Sequence, residues 1–124
     1  MNAYEFLGQE AGIRRLVERF YALMDSLPAA QGIRAMHPGN LDESVDKLAL
    51  FLIERFGGPP DYSAQRGHPM LRARHMPFPI DAAAADAWML CMRQAMAEQV
   101  PAGPERTELE AFFQHVAQHM RNRP

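Results

Sequence analysis

Apolar residues recur along four stretches of the chain at the spacing of a helix with one buried face. Over residues 12–25 they fall at Ile13, Leu16, Val17, Phe20, Tyr21 and Met24, which is the i, i+3, i+4, i+7 stripe. Pro28 marks a break soon afterwards. A short piece, "AAQGIRAMHPG", closes on a Pro-Gly corner. The segment "NLDESVDKLALFLIERFGG" predicts a second long helix. Asn40 suits its N-cap, Asp42 and Glu43 its first turn, and Gly57 its C-terminal stop. Its stripe is Leu41, Ser44, Val45, Leu48, Phe51, Leu52 and Phe56.

The third stretch, "IDAAAADAWMLCMRQAMAEQ", has Asp81 as N-cap, with Ala84, Ala87, Trp88, Cys91, Met92, Ala95 and Met96 on its face. The fourth starts at Pro104, where a missing N–H costs nothing, and carries Leu109, Phe112, Phe113, Val116 and Met120. Between the second and third helices lies "GGPPDYSAQRGHPM", rich in Gly, Pro and Asp. It reads as a long loop with one turn at residues 62–66. Residues 70–75 have room for one or two helical turns, because Pro77 and Pro79 forbid continuation. No stretch alternates like a strand, so the class is all-α. One long middle loop argues against a simple up-and-down bundle, which uses short connections.

Length and composition narrow the picture. The 124 residues fit a single domain, 1–124. With 48% apolar and 23% charged residues the chain is neither disordered nor membrane-embedded. A formal net charge of −2 and no basic cluster give no reason to expect a nucleic-acid partner. No apolar run approaches a bilayer span, and the start "MNAYEFLGQE" lacks a signal-peptide pattern. The lone cysteine, Cys91, excludes an intramolecular disulfide and fits a reducing, cytoplasmic setting. The nine methionines suit core packing or the wall of a flat ligand.

Three residues combine polarity with positions that face inward. Tyr21 lies on an apolar stripe, where an unpaired hydroxyl is costly. Trp88 lies on the inner face of the third helix, and its indole N–H wants an acceptor. His75 sits in "RARHMPFPI", between arginines and a proline-rich run. Singly, each has an ordinary reading, since buried Tyr and Trp often bond a carbonyl and a lone His is more often structural. Together in a small helical chain they suggest a shared polar ligand in the core. Haem fits: it is flat and mostly apolar, its iron takes a neutral imidazole, and its propionates want cations such as Arg72 and Arg74. The i, i+4 pair His115 and His119 lacks a third ligand and reads as a solvated face. Cys91 reads as a small core residue.

The stretch "FGGPPDYSAQRGHPMLRARHMPFPIDAAAADAWMLCM", with "RFY" at residues 19–21, resembles the truncated haemoglobins of group II, bacterial globins with a two-over-two helical sandwich around haem. The resemblance implies a haem b cofactor with His75 as proximal iron ligand. It implies that Tyr21 and Trp88 hydrogen-bond the gaseous ligand and that Ser44, Leu48 and Phe51 line the distal cavity. Tyr62, Arg72 and Arg74 become propionate partners. His37, in "AMHPG", stands where the family usually has Tyr or Phe. Three roles are open to it: a distal hydrogen bond, which we favour, coordination of the iron, or exposure at a corner. The implied function is reversible binding of dioxygen, with nitric oxide and carbon monoxide as further ligands. Nitric oxide dioxygenation or peroxidase-like turnover with an external reductase is an alternative, and a haem-based sensor another. The resemblance leaves a monomer and a homodimer equally open.

Overall fold

The computed structural model describes all residues, 1–124, and every regular element is helical. The helices are α1 (Ala3–Phe6), α2 (Gln9–Ser26), α3 (Gln31–Arg34), α4 (Asp42–Arg55), α5 (Asp61–Arg66), α6 (Leu71–His75), α7 (Ala82–Gln99) and α8 (Pro104–His119). A 3-10 turn at Pro28–Ala30 joins α2 to α3.

The four stretches with helical period form α2, α4, α7 and α8. They pack as two pairs, α2 with α4 and α7 with α8, and α2 against α7 joins the pairs. The stripe of α2 is buried throughout: Ile13, Leu16, Val17, Phe20 and Met24 are at most 1% exposed. Side chains of this size contribute roughly 1.5–3 kcal/mol each when fully buried. They meet Met89, Met92 and Met96 of α7 and Leu109 and Phe113 of α8 in one continuous apolar cluster. Arg19 on α2 adds a paired hydrogen bond to Glu98 on α7, at 2.8 and 3.3 Å.

Two caps follow their sequence signals and one is displaced. The Asp81 side chain accepts from the N–H of Ala84 at 2.8 Å and starts α7. Pro104 opens α8. The N-cap of α4 is Leu41, not Asn40, yet Asn40 Oδ1 accepts from the N–H of Asp42 at 2.8 Å. Asn40 thus satisfies one of the orphan donors from one residue further out.

The periodic stretches do not account for the short elements, of which α1 and α5 bear on packing. α1 is a single turn closed by a capping box between Asn2 and Glu5. Its end lies so close to α2 that a Cβ on Gly12 would stand 1.8 Å from the carbonyl oxygen of Leu7. Glycine is required there by close approach, not by dihedral angles. α5 extends the turn expected in the long loop and is pinned to α4, because Glu54 accepts from the backbone N–H of Ser63 at 2.9 Å and from its hydroxyl. No helix is long and apolar enough to cross a membrane.

Candidate functional site

α6 is five residues long and buries none of them. The chain enters it through Met70 with a left-handed backbone, φ 46°. Pro77 and Pro79 follow it, so the turn carrying His75 is delimited on both sides. The His75 ring is half-buried, and its Nδ1 lies 2.6 Å from the carbonyl oxygen of Leu71. A carbonyl only accepts, so Nδ1 carries the hydrogen. The lone pair of the neutral ring is then on Nε2, which points away from its own helix. A metal-binding imidazole is oriented in this way, with one nitrogen anchored and the other free.

His37 repeats the arrangement at the corner after α3. Its Nδ1 lies 2.8 Å from the carbonyl oxygen of Ile33 and the ring is half-buried. Arg34 braces this corner by bonding the carbonyls of Pro38 and Gly39, both at 2.9 Å, while its Nε reaches Asp25 at 2.8 Å. Burial pushes the His37 pKa below its ordinary value, and the positive charge of Arg34 adds to that, against the bond to Ile33.

Tyr21 stands edge-on to His37, with ring centroids 5.7 Å apart. It also meets Phe20 at 4.9 Å. The residue is 8% exposed, and burial alone pushes its pKa up to about 12. Its hydroxyl bonds no protein group, so it is a donor held in apolar surroundings. Trp88 is half-buried against Phe20 at 4.9 Å and Phe113 at 5.8 Å, and its indole N–H likewise bonds no protein acceptor.

Tyr21 and Trp88 thus flank Phe20, and His37 stands against Tyr21. Ser44, Leu48 and Phe51 are half-buried on one face of α4, and Phe51 meets the buried ring of Tyr62 at 5.9 Å. Of the stripe read from the sequence, Leu52 and Phe56 are buried in the core and Leu41, Val45, Leu48 and Phe51 pack against it, while Ala49, Leu50 and Ile53, outside that stripe, are buried as well. Met70, Met76 and Phe78, 41–62% exposed, put apolar surface on both sides of His75 in the chain. Apolar walls, idle donors and an imidazole with a free Nε2 suit haem.

The two arginines next to His75 are engaged elsewhere. Arg72 Nη1 donates to the carbonyls of His119 and Arg121, and Arg74 Nη2 to those of Arg66 and His68 at 3.2 and 3.4 Å. His115 and His119 stack at 6.3 Å, both exposed. Cys91 is buried in the core, where desolvation raises its pKa. Asn122 is a residue that periodicity and motif left unnoticed. Its side chain bonds the backbone around His75, and nothing in "RNRP" signals it.

Comparison with known proteins bears on the family and the fold. The model of the family described as Bacterial-like globin matches residues 2–122. A group 2 truncated hemoglobin of Bacillus subtilis is 41% identical over 119 residues, covering 96% of this chain and 87% of the relative. The solved group II 2-on-2 hemoglobin of Agrobacterium tumefaciens superimposes with a TM-score of 0.96 at 43% identity, covering 100% of this chain and 96% of that one. A cold-adapted truncated hemoglobin from Pseudoalteromonas haloplanktis gives 0.97 at 40% identity, with full coverage of both chains. By sequence and by helix arrangement, the chain belongs to the bacterial-like globins, as a group II truncated haemoglobin.

Proposed function

We propose that this globin holds haem b through His75 and binds dioxygen reversibly. The observation that carries this reading is the His75 ring, anchored at Nδ1 on Leu71 and free at Nε2. When bound, haem supplies a ferrous iron that takes small diatomic gases, dioxygen, nitric oxide and carbon monoxide among them. Non-covalent attachment fits, because the one thiol, Cys91, is sealed in the core. A single cysteine with no disulfide partner fits a cytoplasmic location.

The other residues work on the gas and on the cofactor rim. Tyr21 and Trp88 donate to a ligand that gains negative charge, and donors set in advance in a desolvated site act more strongly than in water. Ser44, Leu48 and Phe51 bound the space available to the gas. Tyr62, Arg72 and Arg74 serve the propionates, the arginines with the N–H groups left after their carbonyl bonds. Neutral His37 presents a lone pair at Nε2, so it accepts and does not donate until protonated. A hydrogen bond from His37 to a bound gas, the distal role expected of it, therefore requires the protonated ring, because the gas only accepts.

Two idle donors favour slow release of the gas. Slow release suits redox chemistry with nitric oxide or peroxide more than transport, so the second reading is an enzyme fed by an external reductase. Absorption spectra of the ferric and ferrous protein, with and without carbon monoxide, test the haem assignment. A spectrum unaltered in His75→Ala would overturn it. Turnover of nitric oxide with a reductase present separates carrier from enzyme.

A further inference from the structure

We infer that the tail after α8 is the clamp that orients His75, and that Asn122 is its positioning residue; this rests on His75 being the iron ligand. The need for a clamp follows from α6 itself. A helix of five residues does not hold its own shape, and α6 buries no side chain that would fix it from below. Beyond it, Pro77 and Pro79 supply no N–H, the carbonyls of Phe78 and Ile80 still require donors, and that of His75 has only the N–H of Phe78, at 3.0 Å, from its own segment.

Asn122 meets that need with both ends of its amide. Its Nδ2 donates to the carbonyl of His75 at 3.3 Å and to that of Phe78 at 2.9 Å. Its Oδ1 accepts from the N–H of Ile80 at 2.9 Å. Its own backbone N–H donates to the Ile80 carbonyl at 2.9 Å, and that of Arg123 donates to the same oxygen at 3.1 Å. In the opposite direction Arg72, on α6, donates to the carbonyls of His119 and Arg121, where α8 runs out of internal partners. The two segments hold each other: α6 closes the end of α8, and the tail closes the end of α6. A shift of the tail moves the carbonyl of His75 and with it the direction of Nε2.

Asn122→Asp is the sharpest test, because it keeps an acceptor for Ile80 and removes both donated bonds. Asn122→Ala removes all three side-chain bonds, and Arg72→Ala opens the clamp from its other side. Resonance Raman of the ferrous holoprotein reads the iron–imidazole stretch, and transfer to an excess of haem acceptor reads cofactor loss. The expected result is a shifted and broadened stretch and about tenfold faster haem loss, the factor that one to two net hydrogen bonds carry. The carbon monoxide bands, which report the distal side, should stay in place. Asn122→Asp and Arg72→Ala combined should show less than additive effects. Leu109→Ala, a core truncation that lowers stability away from the tail, should leave the stretch where it is. An unaltered stretch and unaltered haem loss in the folded Asn122 variants overturn the clamp, as does an equal shift in Leu109→Ala. A wild-type stretch that survives His75→Ala instead overturns the ligand assignment and leaves the clamp without an object.

Discussion

Replacing Tyr21 with Phe should pull function and stability in opposite directions. The change deletes one hydroxyl and leaves the ring in its contacts with Phe20 at 4.9 Å and His37 at 5.7 Å. In the protein alone that hydroxyl has no protein partner and is largely desolvated, which pushes its pKa up to about 12, although it is not sealed from solvent. An unsatisfied buried polar group costs roughly 1–3 kcal/mol. The residue keeps 8% exposure, so the low end applies. Apo-protein stability should therefore rise or hold, by up to about 1 kcal/mol, or some 2–6 °C in Tm for a chain of this size. With a polar gas bound, the same hydroxyl donates into a low-dielectric site. A bond to a partly charged acceptor is worth about 1.5–3 kcal/mol, so oxygen release should accelerate roughly tenfold to a hundredfold. Carbon monoxide release should change far less, because that ligand carries little charge. Stopped-flow displacement for both gases, with urea unfolding of the apo-protein, checks all three quantities. Equal acceleration for both gases would refute hydrogen bonding in favour of steric gating. An apo-protein destabilised by more than about 1 kcal/mol would show a protein partner for the hydroxyl.

His75→Ala should abolish stable haem retention while the four long helices persist in circular dichroism, and added imidazole should restore part of the spectrum. His37 is held below the ordinary 6.5. Between that depressed value and 6.5 the unfolded chain binds a proton the folded one refuses, so stability should fall as pH drops through this window and recover above it. His37→Phe should flatten that slope, together with any pH dependence of oxygen release below about 6.5; a wild-type low-spin ferric spectrum turned high-spin by the same change would show coordination instead. Gly12→Ala should destabilise by about 1–3 kcal/mol in urea unfolding, because overpacking outweighs the gain in helix propensity; a Cβ there would stand 1.8 Å from the Leu7 carbonyl.

Much of this globin was legible in its sequence because the information is local. The stripes of α2, α4, α7 and α8, their proline and glycine boundaries and the Asp81 cap each involve residues within a few positions of one another. The segment around His75 could be read for the same reason, since its residues and prolines stand in one run. α1 escaped notice because a single turn cannot display a period, although its Asn2–Glu5 capping box was present in the letters. Tertiary structure alone decided what each ring can donate. The carbonyl of Ile33 engages Nδ1 of His37, so only Nε2 is left for a further partner. The arginines beside His75 were read as partners of a cofactor rim, and the fold gives their guanidiniums carbonyls from other segments as well. The hold of Asn122 on the carbonyl of His75 joins residues 47 apart in the chain. Such a bond depends on where α8 ends against the loop before α7, and no pattern within either segment encodes that distance.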